Sequence, residues 1–174
     1  MLLIEDLCVS YPGAPAARAQ AVDRLSLHAR EGRILALLGP SGCGKSTTLR
    51  AIAGLLRPRQ GRIRFGEQTF FCHASGTESP AARRNIGFMF QSYAIWPHMT
   101  VLENAAFPLT VRRPRAGRTR ERAQALDILA RLGLAELAER SATELSGGQQ
   151  QRLALARALG HPPPPPPPHQ PPST

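Results

Sequence analysis

Apolar positions in the first third of the chain recur close to every second residue. LLIEDLCVSY (2–11) and AVDRLSLHA (21–29) both carry this spacing and predict two strands, separated by the loop PGAPAARAQ. REG (30–32) predicts a turn. ILALLG (34–39) is apolar without alternation, the pattern of a strand buried on both faces. A Gly-rich loop follows, then a helix over STTLRAIAGLL (46–56), closed by RPRQG, after which RIRFG (62–66) opens another strand. IGFMF (86–90) predicts one more short strand, ending at Gln91.

Beyond residue 100 the period changes. VLENAAFPL (101–109), RTRERAQALDILARLGL (118–134), AELAER (135–140) and GQQQRLALARAL (148–159) all read as helical. Ala125, Leu126, Leu129 and Leu132 form the i, i+3, i+4 stripe of an amphipathic helix. The pattern predicts an α/β domain over 1–160, strand-rich at first and carrying a helical insert at about 100–145. HPPPPPPPHQPPST (161–174) breaks off abruptly from it. Its seven consecutive prolines force polyproline II and supply no backbone donors, so a disordered tail foreign to the fold is expected.

Composition changes this picture little. A chain of 174 residues, 42% apolar and 20% charged, suits one globular domain. The longest aliphatic run, ILALL, is far too short to cross a bilayer, and Glu5 and Asp6 stand where a signal peptide needs a basic start. A cytoplasmic protein is expected. Cys8, Cys43 and Cys72 form no CxxC pair and predict neither a disulfide framework nor a zinc site. The net charge of +10 raises nucleic acid or an anionic membrane surface as a partner, but every basic residue except one is Arg. Runs such as VRRPRAGRTRER lack aromatics for base stacking, so the charge reads as a solvated face with no specific nucleic-acid partner.

The exceptional lysine lies in GPSGCGKST (39–47), which matches G-x-x-x-x-G-K-[ST] between a predicted strand and a predicted helix. Gly39, Gly42 and Gly44 let the backbone wrap with its N–H groups turned inward around phosphate oxygens, together with Pro40, Ser41 and Cys43 between them. The helix starting near Lys45 aims its positive end at the same place. Lys45 would bridge the β- and γ-phosphates, Ser46 ligate Mg²⁺, and Thr47 bond the α-phosphate. With Gly at about 7% of residues, such a pattern arises by accident in roughly one chain of this length in a hundred. Phosphate binding is the firmer reading.

P-loops serve many reactions, so a second signature is needed. In LSGGQQQR (145–152), Ser146, Gly147 and Gly148 open a helix and also present free N–H groups, with Gln149 following. As a capping sequence alone it would fit, with Ser as the cap. About 100 residues after a P-loop, however, LSGGQ resembles the ATP-binding subunits of ABC transporters. The resemblance covers roughly residues 2–160 and implies a P-loop NTPase core with ATP and Mg²⁺ as cofactors. It implies that Tyr11, in VSYPG, stacks on adenine; a strand-end aromatic before a turn is the plainer alternative. It implies that Gln91 contacts Mg²⁺ and the attacking water and couples the site to the membrane partner. SYAIWPHMTVLEN (92–104) looks like the importer branch, particularly ferric iron and polyamine uptake. His98 has no second ligand nearby and reads as structural; Trp96 and Met99 read as packing or permease contacts.

The same resemblance implies partners: transmembrane permease subunits, a second ATP-binding subunit facing head to tail, and indirectly a solute-binding protein, at the inner face of the plasma membrane. It also exposes a departure. After ARAL the family continues to an apolar strand ending Asp-Glu, which holds Mg²⁺ through water and polarises the attacking water, and later to a His. LLIED and ALDIL offer no credible substitute. A C-terminally truncated, hydrolysis-deficient ATPase is therefore expected, its core incomplete because later strands are missing. ILALL would then have unpaired edges and uncovered surface.

Overall fold

In a computed structural model the described residues are 1–11, 20–112 and 117–160, without the side chains of 112 and 118. The tail 161–174, most of PGAPAARAQ and part of VRRPRAGRTRER lie outside them. The chain divides into two units, Met1–Arg84 and Asn85–Thr174.

The first unit is built on a five-stranded antiparallel sheet in the order β2-β1-β3-β4-β5. β1 (Leu2–Ser10), β2 (Gln20–Ala29) and β3 (Gln60–Phe65) match the period-two expectation. β4 (Gln68–Cys72) and the two-residue β5 (Thr77–Glu78) carried no signal strong enough to be expected. β1 keeps its apolar residues on one face by a bulge: Asp6 adopts φ 46°, and the shifted phase buries Ile4, Leu7 and Val9 together. Opposite the bulge stands Gly61, φ +96°, where a Cβ would lie 2.5 Å from the Glu5 carbonyl oxygen. Ile63, Phe70 and Phe71 complete this core.

α1 (Lys45–Ala53) packs against β1 and β2 and ends at Gly54 in the left-handed conformation. The main tie to its C-terminal end is Arg84. The residue is 3% exposed, and its guanidinium donates to the carbonyls of Ala51 (2.8 Å), Ile52 (2.9 Å), Ser79 (2.8 Å) and Phe70 (3.3 Å). Burial pushes its pKa below the usual arginine value, yet the four carbonyl oxygens give the charge its partners.

Two expected strands are absent. Residues 34–39 and 86–90 form no ladder among the described residues. Ile34 is 100% and Leu38 91% exposed, where a buried strand was expected. The reason is that a strand of this kind is held by hydrogen-bonded neighbours and by cover on both faces. The antiparallel sheet has no position for either segment, so the parallel-type core they would enter is not assembled among the described residues.

The second unit is helical: α2 (Val101–Arg112), α3 (Arg118–Arg131) and α4 (Gly147–Leu159). AELAER, expected as a helix, is a single 3₁₀ turn at Ala135–Leu137, its amides of Leu137 and Ala138 bonding three residues back to Leu134 and Ala135. α2 runs on through Pro108. Its start is a capping box, in which Thr100 N donates to Glu103 Oε2 (2.8 Å) and Glu103 N to Thr100 Oγ1 (3.1 Å). Val101, Ala105, Ala125, Leu129, Leu134, Leu153 and Ala156 are fully buried in one cluster. The expected stripe on α3 is there, with Leu126 and Leu132 partly buried at its margin.

Arg84→Ala would take the donor from the part-buried carbonyls of Ile52 and Ser79, while Ala51 and Phe70 keep the amides of Gly54 and Ser79. It is expected to lower unfolding free energy by about 3–5 kcal/mol, measured by urea denaturation. Gly54→Ala should cost about 1–3 kcal/mol, because it meets positive φ (+79°) and an Arg84 Nε 2.7 Å from the new Cβ.

Candidate functional site

The chain enters α1 through three glycines with positive φ: Gly39 at 153°, Gly42 at 82° and Gly44 at 92°. Gly44 is the helix's N-cap and is held tightly, since a Cβ there would sit 2.4 Å from the Ala21 carbonyl oxygen on β2. No side chain caps α1 and no acidic residue lies in its first turn. Its first N–H groups therefore keep their capacity to bond an anion, and nothing offsets the helix dipole.

Lys45 is folded back onto this loop. Nζ donates to the carbonyls of Gly39 (2.7 Å) and Pro40 (2.6 Å) and lies 3.5 Å from Cys43 Sγ. The ammonium thus fills the mouth of the loop that its charge would otherwise open to a phosphate. Ser41, Gly42 and Ser46 are exposed. Thr47 is buried, its Oγ1 3.0 Å from the Tyr11 hydroxyl. Tyr11 itself follows β1 and is exposed, so its ring keeps a free face while its hydroxyl is tied to α1. The donor set fits a polyphosphate: a turn only glycine can make, an open helix N-terminus, one lysine and a free Ser46 hydroxyl of the kind that holds Mg²⁺.

In the second unit, Ser146 caps α4 in a full capping box. Its Oγ accepts from Gln149 N (3.4 Å) while Ser146 N donates to Gln149 Oε1 (2.9 Å). The plain capping reading is therefore correct, and it is compatible with a binding role. Gly147 and Gly148 are exposed and a Cβ at either would meet nothing, so the first turn is open apart from the Gln149 N–H, which Ser146 holds. The carboxamide of Gln149 is engaged in the box. Gln91 is exposed in a turn of this second unit, and its expected metal contact rests on the resemblance rather than on a distance.

Around Gln91 the structure reveals residues that sequence reasoning passed over. Asn104, fully buried on α2, holds the loop 96–100: its Oδ1 accepts from Trp96 N (3.0 Å), and its Nδ2 donates to the carbonyls of Trp96 (3.1 Å) and Thr100 (3.0 Å). The T-x-x-E box just before it was a legible sign that the loop ends there. Trp96 packs on Phe107, with centroids 4.2 Å apart, and under the Arg157 guanidinium, in line with a packing role. His98 is exposed, and no cluster of three metal-ligating side chains occurs among the described residues. No helix among the described residues is long and apolar enough to cross a membrane.

The family profile described as ABC transporter matches residues 22–164. The trehalose/maltose import ATP-binding protein MalK of Thermococcus litoralis is 47% identical over 139 residues, 80% of this chain and 37% of that protein. The sulfate/thiosulfate import ATP-binding protein CysA of Bordetella pertussis is 49% identical over 142 residues, 80% of this chain and 38% of that one. The Fe(3+) ions import ATP-binding protein FbpC of Brucella abortus is 48% identical over 139 residues, again 80% and 37%. The chain thus spans well under half the length of these relatives. A dimeric bacterial ABC transporter cassette superposes with a TM-score of 0.79 at 31% identity, covering 92% of this chain and 70% of that one.

Gly44→Ala is expected to disrupt the P-loop rather than the sheet. Anion protection of the fold, read as the rise in melting temperature with added inorganic triphosphate, should be lost while the β-sheet circular dichroism is kept. Ser146→Ala should cost about 1 kcal/mol of stability through the lost cap, read by urea denaturation.

Proposed function

Because this chain belongs to the ABC transporter ATP-binding family, matched over residues 22–164, we propose that it is the nucleotide-binding part of an importer's energy-coupling subunit. One observation carries the reading: α1 begins at Lys45 with no side-chain cap and no acidic residue in its first turn, directly after a loop that only glycine can form.

Binding exchanges partners rather than building a site. Lys45 would leave the neutral carbonyls of Gly39 and Pro40 for anionic β- and γ-phosphate oxygens, where both partners carry charge. The first N–H groups of α1 would bond the phosphates, and the Ser46 hydroxyl would hold Mg²⁺, whose charge would offset part of theirs. Tyr11, anchored through Thr47, offers its ring to the adenine. Ser146, Gly147 and Gly148 present the open end of α4 to the nucleotide of a second subunit, which supports head-to-tail pairing. Gln91 is the coupling residue toward permease subunits in the membrane, and through them a solute-binding protein. The protein then works at the inner face of the plasma membrane, attached through its permease.

Relatives of near-equal identity are named for sugar, sulfate and ferric iron import. The ferric iron or polyamine reading rests on SYAIWPHMTVLEN alone, and growth complementation with each permease pair tests it. For the 174 residues taken alone, nucleotide binding without turnover is the expected behaviour, since no strand ending Asp-Glu follows LSGGQ within them.

Wild-type protein should bind MgATP, and Lys45→Ala should weaken binding tenfold or more, the loss of one charge-assisted contact of about 1.5–3 kcal/mol. Equal affinity of the two proteins by calorimetry overturns the phosphate-site assignment. Phosphate release should stay far below about 1 s⁻¹, an ordinary enzymatic rate; Lys45-dependent turnover at that rate overturns the binding-only behaviour.

A further inference from the structure

Both flanks of Gln91 rest on the last turn of α4. Upstream, a Cβ at Gly87 would lie 2.4 Å from the carbonyl oxygen of Ala158, so the backbone passes there at a distance only glycine permits. Downstream, the Arg157 guanidinium donates to the Ala94 carbonyl and lies 3.7 Å from the centroid of the Trp96 ring. Between these supports, Tyr93 (φ 60°) and Ala94 (φ 47°) are both left-handed. Non-glycine residues hold that conformation only where the surroundings over-determine it.

Arg157 is not needed to dock α4, because Leu153 and Ala156 already bury that helix in the hydrophobic cluster. Nor is it an ordinary surface arginine. Its Nε is buried and has no hydrogen-bond partner among the described residues, so the group is kept half-buried for its stack and its single contact to the loop. The other end of the same helix is Ser146, Gly147 and Gly148. Thirteen residues at 1.5 Å each make α4 a rod of about 20 Å, stiff over that length.

We propose that Arg157 is a positioning residue: from the C-terminal turn of α4 it seats the segment carrying Gln91, so that a displacement of the Ser146–Gly147–Gly148 end reaches Gln91 as a movement of one rigid helix. The inference rests on the reading of Gln91 as the coupling residue. It adds the physical link between that residue and the signature helix. The stacked guanidinium, the Ala94 carbonyl and the Gly87 contact supply three points of attachment, enough to fix the segment's orientation as well as its distance.

Hydrogen exchange on the 174-residue chain tests this, comparing wild type with Arg157→Ala, Arg157→Lys and Trp96→Phe. The amides of Tyr93, Ala94 and Trp96 donate to Phe90 O, Ser92 O and Asn104 Oδ1 and report the seat directly. In Arg157→Ala they should exchange about tenfold faster or more, the loss of a desolvated cation–π stack. Amides of Leu153 and Ala154 in α4 should keep their protection. Arg157→Lys should restore part of it, since an ammonium keeps the charge and a donor but not the planar stack, and Trp96→Phe should fall between. Unchanged exchange at 93–96 in folded Arg157→Ala, or acceleration spread evenly over α2, α3 and α4, overturns the proposal. Should Arg157→Ala not fold, no local acceleration in the two conservative variants overturns it equally. Failure of wild type to bind MgATP sinks the functional reading separately, since the exchange pattern does not involve nucleotide.

Discussion

A buried guanidinium with carbonyl partners organises the first unit. Arg84 takes the last carbonyls of α1 at Ala51 and Ile52 and joins them to those of Phe70 and Ser79. A helix C-terminus leaves its final carbonyls short of partners: Gly54 N serves Ala51 and Leu55 N serves Arg50, but Ile52 relies on Arg84, and burying it bare would cost about 1–3 kcal/mol. Arg84 removes that cost and fixes the helix axis at one end. Gly44, wedged against Ala21, fixes it at the other. The open N-terminus of α1 points where these two constraints aim it, so the glycine loop 39–44 inherits its geometry from contacts at both ends of the helix.

The second unit repeats the device with different chemistry. Asn104 does for the loop 96–100 what Arg84 does for α1, satisfying several main-chain groups from one buried head. Arg157 adds a stack on Trp96 and a bond to Ala94. In the second unit the irregular segment 94–100 is thus held by two polar side chains, one on α2 and one on α4. This is how loop residues such as Gln91 acquire defined surroundings without a strand to carry them.

The exposed run 34–39 shows the opposite situation. Its composition is that of a strand covered on both faces, yet Ile34 and Leu38 face solvent and no ladder holds their backbone. Apolar side chains supply a driving force for burial but no address. Where no sheet edge and no second layer are offered, the force is left unspent.

The two candidate motifs were legible because each lies in contiguous residues. GPSGCGKST and LSGGQ each encode a glycine-permitted turn followed by a helix start, and such local backbone requirements are written directly into the sequence. The two alternating strands, the stripe on α3 and the capping at Ser146 were legible for the same reason. What tertiary structure alone decided depends on partners far away in the chain. Arg84, Asn104 and Arg157 look like any other polar residue until the carbonyls they serve are brought beside them. The bulge at Asp6 requires Gly61 across the sheet, and Gly87 requires the Ala158 carbonyl. Whether 34–39 becomes a strand was likewise settled by its neighbours, because a β-ladder takes half of its hydrogen bonds from another segment and a single segment cannot specify them.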